Sequence, residues 1–301
     1  MSYDLARACE SGALESVELL LATAPNPAEI ARKMNNLALR LACEQGNLAV
    51  LERLLARDVG LTTDDARADN NFALRWACTY GHLGVVERLF ARNPATPAFQ
   101  GLTAADARAE NNAALRYACA NGHLGVVTRL FEAGLTADDA RAADNQALRE
   151  ACARGRLEVV ERLFEAGLTA ADARQGRALS AACHNGHPDI VARLFSRGAD
   201  GSAFQGLEPA DAAEVVRRTC WPPGDDRRQR CRDLLIANGA GLDTLGAGRR
   251  AEWVASAPMD IGPDMFAALA RWAAAGAEPE AASAAAAIKS ETRAEKKARH
   301  G

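Results

Sequence analysis

The stretch FALRWACTYGHLGVVERLF, residues 72–90, contains the pattern that decides the fold of this chain. Leu74, Ala77 and Cys78 fall at positions i, i+3 and i+4, which places them on one apolar stripe of a short helix. A glycine then interrupts the pattern, and residues 83–90 form a second amphipathic stripe. Because neither short helix can bury its stripe alone, we expect the pair to pack against copies of itself.

The same pattern occurs six times between residues 4 and 195. Each copy carries a cysteine at the same place, and these cysteines are Cys9, Cys43, Cys78, Cys119, Cys152 and Cys183. Successive members are 34, 35, 41, 33 and 31 residues apart. A period in the low thirties with a helix–turn–helix pattern marks a repeat array, here of roughly seven or eight units.

The units resemble ankyrin repeats. Leu74 matches the leucine of the family's first helix, and Ala77–Cys78 match its pair of small residues. Gly81–Leu83 match the Gly-His-Leu turn, and Val85–Val86 match the start of the second helix. The resemblance covers roughly residues 4–240 and is specific because it recurs. It implies an array of stacked helix pairs that binds other proteins.

The units depart from the family pattern at their first residues. Phe72-Ala73 stand where the family has Thr-Pro, and Arg75 stands where it has a histidine. In this respect the units resemble the Ala-Leu-Arg arrays encoded in many copies by large DNA viruses and other host-associated genomes. The arginine forms a column through the array, whose members are Arg40, Arg75, Arg116 and Arg149.

The connectors between units predict short helices where the family has β-hairpin fingers. In GLTTDDARADNN, residues 60–71, Thr62 is followed by Asp65, which is typical of an N-cap with an acid in the first helical turn. We expect short helices at residues 62–67, 103–108 and 136–141, and N-caps for the next helix at Asn71, Asn112 and Asn145. The predicted fold class is therefore all-α: an ankyrin-like repeat solenoid with short helices in place of the β-hairpin fingers.

The chain divides into four predicted regions. They are an N-terminal capping repeat at 1–34, ankyrin-like repeats at 35–212, degenerate C-terminal repeats with a cap at 213–277, and an Ala-rich basic tail at 278–301. Terminal repeats are expected to be atypical because one of their faces meets water.

Two connectors are longer than the others. Residues 91–107 and 196–212 both contain the sequence Ala-Phe-Gln-Gly-Leu. Either Phe99 and Phe204 fold back onto the stack, or the loops project and contact a partner. We favour the first interpretation, because a single phenylalanine is usually buried.

Composition excludes several classes of protein. The net charge of −3 and the sequence pI near 6.0 give no signal for binding to nucleic acid or to an acidic membrane surface. No apolar run approaches the roughly 20 residues of a membrane span. The first residues contain no basic region followed by an apolar core, so we expect no signal peptide and reduced cysteines. We place the protein in the cytoplasm, with the nucleus as the alternative.

Cys78 and His82 have a spacing that can hold a metal on one face of a helix. The cysteine recurs in every unit, whereas the position of His82 reads Ala13, Asn47, His82, His123, Arg156 and His187 along the array. A metal site cannot survive that exchange, so we expect buried cysteines and a surface column after the turn. Cys220 and Cys231 have no partner pair with CxxC spacing, and we predict no metal and no cofactor.

No set of residues is distinguished as catalytic. Catalysis by a nucleophile requires a base and an orienting group held beside it, whereas the acids and histidines of this chain occupy repeated, interchangeable positions. The glycines at the turns form no phosphate-binding loop. We therefore predict that the protein is not an enzyme.

The arginine column allows two interpretations. Evenly stacked arginines can form a positive stripe for phosphate groups or for an acidic peptide. Alternatively, they bond backbone carbonyls and nearby carboxylates, such as Asp65 and Asp69 beside Arg75, or Asp106 and Glu110 beside Arg116. We favour the second interpretation.

The resemblance to ankyrin repeats also implies a binding face. In such arrays the variable residues around the small pair face the concave side, where partners bind. Transferred to this chain, the partner-binding residues are Trp76, Tyr80, Tyr117, Asn121, Glu150, Arg154 and His184. Exposed aromatic side chains are typical anchors of interfaces, although Trp76 and Tyr80 could instead pack between neighbouring first helices.

The function that we predict is a protein–protein interaction scaffold, monomeric and without contact to a membrane, that binds another protein on this concave face. One alternative is an adaptor that recruits a ubiquitin-ligase component through residues 241–301, although no F-box-like pattern is present there. The other is a nucleic-acid binder that uses the arginine column and the basic tail, and we do not expect nucleic acid as the partner.

Overall fold

The computed structural model describes residues 1–92, 96–196, 204–218 and 224–238. These residues form 16 helices, and no β-strand occurs among them. The chain separates into two compact units, Met1–Leu207 and Glu208–Gly301. The helices of the first unit are α1 Ser2–Ser11, α2 Leu14–Thr23, α3 Pro27–Glu44, α4 Leu48–Leu54, α5 Thr63–Tyr80, α6 Leu83–Phe90, α7 Ala104–Ala107, α8 Ala109–Asn121, α9 Leu124–Glu132, α10 Ala137–Ala153, α11 Leu157–Glu165, α12 Ala170–Gln175, α13 Ala178–Asn185 and α14 Pro188–Phe195.

In the second unit, α15 (Pro209–Arg218) and α16 (Asp226–Ala237) pack against each other. The predicted adaptor segment, 241–301, and the predicted basic tail lie outside the described residues, as does Cys220. Cys231 is buried.

The first unit consists of two layers of stacked helices. The first helix of each repeat packs on the first helix of the next, in the order α1, α3, α5, α8, α10 and α13. The second helices stack in the same way, in the order α2, α4, α6, α9, α11 and α14. The predicted all-α repeat solenoid is therefore confirmed.

The interface between the layers is aliphatic and rich in alanine and cysteine. Leu74, Ala77 and Cys78 are fully buried, as the periodicity predicts, and so are all six cysteines of the repeated column. Burial raises the pKa of the Cys9 thiol to about 12, and it raises the pKa of the Cys78 thiol as well. A small side chain at this position lets two short helices approach closely without leaving a void.

The connectors begin with short helices, as predicted; within α5 and α10 a left-handed turn separates this short helix from the first helix of the repeat. The connector of α5 starts with a capping box: the Asp65 carboxylate accepts hydrogen bonds from the backbone N–H of Thr62 at 2.7 Å and from its hydroxyl at 3.0 Å. The same box occurs at Thr103, Thr136 and Thr169. Satisfying two donors at a helix start favours helix over strand here, and the described residues contain no paired strands.

The prediction that Asn71 is an N-cap is wrong. A cap residue has extended backbone, whereas Asp69, Asn70 and Asn71 form one left-handed turn with φ of 56°, 55° and 59°. The side-chain oxygen of Asn71 accepts no hydrogen bond from the described residues. Asparagine suits this position because it tolerates left-handed backbone better than most residues. The same geometry, and the same correction, apply to Asn112 and Asn145.

In the described parts of the two longer connectors the phenylalanine folds back onto the stack, which confirms the favoured interpretation. Phe99 and Phe204 are fully buried. The backbone N–H of Leu102 donates to the carbonyl oxygen of Leu89 at 2.7 Å, and Leu207 makes the equivalent bond at 2.8 Å. Both insertions therefore have the same anchoring, and neither presents its phenylalanine to a partner.

The first repeat differs from the others at two positions that are buried in later repeats. Asp4 and Ser16 are exposed, and they stand where later repeats have a buried alanine and a buried valine, such as Ala73 and Val85. Polar residues at these positions support our proposal that residues 1–34 cap the array.

Candidate partner-binding surface

Side chains that follow the turn glycine link each repeat to the one before it. The ring nitrogen Nε2 of His82 lies 2.8 Å from the carbonyl oxygen of Glu44, and that of His123 lies 2.9 Å from the carbonyl oxygen of Thr79. Because a carbonyl only accepts, the ring nitrogen donates. Asn47 and Arg156 occupy the same column and donate in the same way.

This column is therefore defined by a hydrogen-bond donor and not by a metal ligand. We expected only a surface position here. The side chain also donates a hydrogen bond to a carbonyl oxygen at the end of the first helix of the preceding repeat. Gly81 leaves space for the ring of His123, because a Cβ at position 81 would lie 2.4 Å from Nδ1 of that ring. In the part of the chain that the structure describes, no group of three or more His, Cys, Asp or Glu side chains could hold a metal ion.

A second set of contacts links successive connectors, and we call it the connector ladder. Arg108 donates from Nε and Nη2 to the carboxylate of Asp139 at 2.7 and 3.0 Å. Asp139 is also the acid of the next capping box, so one carboxylate joins two connectors. The other rungs of the ladder are Arg32–Asp65, Arg67–Asp106 and Arg141–Asp172.

An aromatic row on α5 contains two of the predicted partner-binding residues, Trp76 and Tyr80. Trp76 lies between Phe72 and Tyr80 on α5, with ring centroids 5.3 and 5.4 Å apart. This row follows from the helix itself, because residues i, i+4 and i+8 lie along one face. Tyr80 is 49% exposed and Tyr117, from the next repeat, is 43% exposed, whereas Trp76 is half-buried. We call these four residues the aromatic surface.

The structure brings some of the predicted residues together. The side-chain amide of Asn121 donates to the carbonyl oxygen of Thr79 at 2.9 Å, which places it beside Tyr80. Glu150 and Arg154 form an ion pair at 3.4 Å further along the array. His184 is exposed at its far end. The aromatic character is thus confined to the third and fourth repeats, and the remaining predicted residues are polar.

The arginine column is only partly as expected. Arg75 donates to the carbonyl oxygens of Asn70 and Asp69 at 2.9 and 3.0 Å, and Arg116 makes the equivalent contacts to its own left-handed turn. The favoured bonds to backbone carbonyls are therefore present. The prediction that Arg75 and Arg116 bond to nearby carboxylates is wrong. Asp65 and Asp106 bond to the arginines of the connector ladder instead.

Two features escaped the sequence-based interpretation. Phe72 completes the aromatic row, and its spacing of four residues from Trp76 was the available signal. The connector ladder also had a signal, since every capping box is followed by Ala-Arg in the motif Thr-x-x-Asp-Ala-Arg. What the motif could not give is the partner of the arginine, which comes from the neighbouring repeat.

The sequence profile of a known family agrees with this architecture. The chain matches the sequence profile of the family described as ankyrin repeats (3 copies) over residues 5–100, 39–141 and 115–205. A comparison with curated proteins gave no match. Among solved structures 89 chains match, including the human ASB11 ankyrin repeat domain, with 19% sequence identity, a TM-score of 0.47, and coverage of 76% of this chain and 96% of that one.

Proposed function

Because the chain belongs to the ankyrin-repeat family, whose repeats are protein–protein interaction modules, we propose that it is a scaffold that binds a partner protein through its aromatic surface. The observation that carries the proposal is the exposure of Tyr80 and Tyr117 in a protein with few aromatic residues. The interface between the helix layers is aliphatic, so these rings are not needed to fill it.

The aromatic surface is suited to binding because it is already ordered. Tyr80 stacks on Trp76, and Trp76 is held from the other side by Phe72. The guanidinium of Arg40 covers Phe72, 4.7 Å from the ring centroid. A side chain that is fixed before binding loses little conformational entropy when a partner covers it, which is why rigid tyrosines often dominate interface energies.

We propose that the polar residues Asn121, Glu150, Arg154 and His184 extend the binding face beyond the aromatic surface. Their role is orientation and specificity, since partly exposed polar contacts contribute little to affinity. The scaffold is proposed to act as a monomer in the cytoplasm, with the nucleus as the alternative. Among the described residues no helix is long and apolar enough to cross a membrane.

Catalysis is not part of the proposal. Ankyrin-repeat proteins are typically scaffolds without enzymatic activity. Cysteines would be the strongest nucleophiles, but burial raises the pKa of Cys9, Cys43, Cys78, Cys119 and Cys152, so these side chains are thiols at neutral pH. The adaptor alternative depends on residues 241–301, which lie outside the described residues.

The proposal is tested with single alanine variants. The immobilised protein captures its partner from host-cell lysate, and the dissociation constant of the purified partner is then measured. We expect Tyr80→Ala and Tyr117→Ala to weaken binding by more than ~1 kcal/mol, or about fivefold, with little change in melting temperature. Tyr3→Ala is the matched control, because Tyr3 is 64% exposed in the first repeat and distant in sequence from the proposed site.

A second control separates binding from folding. Leu115 is fully buried, and Leu115→Ala is expected to cost roughly 2–5 kcal/mol of folding stability. If Tyr80→Ala and Tyr117→Ala unfold the array as Leu115→Ala does, they are core residues and the proposal is wrong. It is equally wrong if they leave both stability and partner affinity at the level of Tyr3→Ala.

A further inference from the structure

Three arginines of the recurring column carry a charge that no carboxylate of the described residues neutralises. Arg75 donates only to backbone carbonyl oxygens. Arg116 donates to carbonyl oxygens and to the neutral side chain of Gln146 at 2.7 Å. Arg149 forms neither a hydrogen bond nor an ion pair within the part of the chain described. Carbonyl dipoles hold a guanidinium in place but leave its net charge unchanged.

The acids nearest to the column in sequence are engaged elsewhere. Asp65 and Asp106 each accept two hydrogen bonds from the threonine of their capping box and two or more from a ladder arginine. Asp69 bonds to Arg40 at 2.6 Å, so that Arg40 is the neutralised member of the column. The contacts that stabilise the stack therefore remove the carboxylates that could have neutralised Arg75 and Arg116.

The positive charges border the aromatic surface. The guanidinium carbon of Arg75 lies 5.9 Å from the centroid of Phe72, and that of Arg116 lies 5.7 Å from the centroid of Tyr117. Two exposed acids, Glu110 and Asp144, lie on the left-handed turns of the connectors, and Glu110 accepts a hydrogen bond from the amide of Asn70 at 2.6 Å.

Two further acids lie on the first helices of the repeats. Glu150 is paired with Arg154, and Glu44 is half-buried at the end of its helix. The charge directly beside the exposed tyrosine of the fourth repeat is therefore cationic. A partner that covers this face must supply acceptors for the guanidinium groups, because burying an unpaired charge is costly.

We propose that the partner presents an acidic protein segment, with aspartate or glutamate side chains next to its apolar anchors; this proposal rests on the proposed function. Stacked helices lie roughly 8–10 Å apart, so successive column arginines are about that far from each other. Three residues of extended polyproline-type chain span a similar distance, about 9 Å, and return to the same face. Carboxylates at every third position of such a segment match Arg75, Arg116 and Arg149.

The test uses a probe that requires no knowledge of the natural partner. A fluorescent random copolymer of glutamate and tyrosine is titrated with the full chain at low and high salt, and binding is measured by anisotropy. We expect binding that weakens with salt, and roughly tenfold weaker binding when Arg75, Arg116 and Arg149 are all replaced by glutamine. Arg57→Gln is the matched control, because Arg57 is an exposed arginine outside the column.

Arg149→Glu keeps the test valid if the triple variant does not fold. Arg149 bonds to nothing in the described residues, so this reversal of charge leaves the stack intact and is expected to weaken copolymer binding at least threefold. The proposal is overturned if the wild-type chain does not bind the copolymer, or if the column variants bind it as Arg57→Gln does.

A labelled oligothymidylate is titrated in parallel. If the oligonucleotide binds more tightly than the copolymer, and if this binding requires the column arginines, the partner is a nucleic acid and not an acidic protein segment. The two proposals fail separately: if Tyr80→Ala weakens capture of the natural partner but the arginine variants do not, the aromatic surface stands and the acidic partner is wrong.

Discussion

Asp139 is the residue on which the contact between two consecutive connectors depends. Its carboxylate accepts from Thr136, through the backbone N–H at 2.8 Å and the hydroxyl at 3.2 Å, and from Arg108 of the preceding connector. Asp139→Asn preserves the shape of the side chain but removes its charge and turns one oxygen into a donor. That donor then faces either the Thr136 N–H or the guanidinium, and both of these groups are donors themselves.

The expected loss of stability follows from these contacts. Weakening a capping interaction costs about 1 kcal/mol. The partner Arg108 is substantially exposed, so its ion pair contributes no more than about 1 kcal/mol. We therefore expect Asp139→Asn to lower the free energy of unfolding by about 1–3 kcal/mol in urea denaturation at neutral pH. Asp138→Asn is the matched control: Asp138 is 91% exposed, and its loss should cost less than ~0.5 kcal/mol.

The pH dependence gives a second, independent signature. Burial by itself would raise the pKa of the Asp139 carboxyl, but the hydrogen bonds from Arg108 and from the Thr136 backbone outweigh it and hold the pKa below its usual range. A carboxyl with a lowered pKa in the folded state stabilises the protein above its unfolded pKa of about 4, and this contribution disappears as the pH falls through the folded pKa.

The difference in stability between the wild type and Asp139→Asn should therefore be constant above about pH 5 and shrink below about pH 4. A difference that persists unchanged in acid would show that the charge of Asp139 does not matter. Equal losses for Asp138→Asn and Asp139→Asn would refute the connector ladder as a distinct stabilising contact.

Two further predictions concern the turn and the core. Gly81→Ala should destabilise the array by about 1–3 kcal/mol in urea denaturation, because alanine is strained at a φ of 80° and its Cβ meets the ring of His123; combining it with His123→Ala should recover part of the loss, and full additivity would contradict the predicted clash. Cys119→Ser should cost about 1–3 kcal/mol, since a hydroxyl at this buried position has no assured partner, and stoichiometric zinc in the purified protein would contradict the packing role of the cysteines.

The sequence was sufficient for those parts of the fold that depend on local chemistry. The apolar spacing in residues 72–90 predicted both helices, and Gly81 marked the end of the first. The pairs Thr62–Asp65 and Thr136–Asp139 predicted the helical starts of the connectors, because a capping box is made within four residues. Repetition made these signals reliable, since each occurs several times.

The sequence was insufficient wherever a side chain chooses its partner in another repeat. Asp65 is ten residues from Arg75 but bonds to Arg32, which is 33 residues away. Which acid meets which arginine depends on the rotation between stacked units, and periodicity gives only their spacing. The left-handed turn before each first helix was missed for a related reason: three successive left-handed residues are rare, so Asn71 fitted the commoner pattern of an N-cap.

The same distinction explains why the aromatic surface is the candidate site. Contacts between repeats are made by side chains that recur in equivalent form, such as the connector ladder and the donors after the turn. The position of Trp76 is different, because the array places Leu41, Trp76, Tyr117, Glu150 and Ala181 there. A position that tolerates leucine, tryptophan, glutamate and alanine in otherwise similar repeats is not required for stacking. The large side chains at Trp76 and Tyr117 are therefore free to serve a contact outside the array, which is the contact that Tyr80→Ala and Tyr117→Ala test.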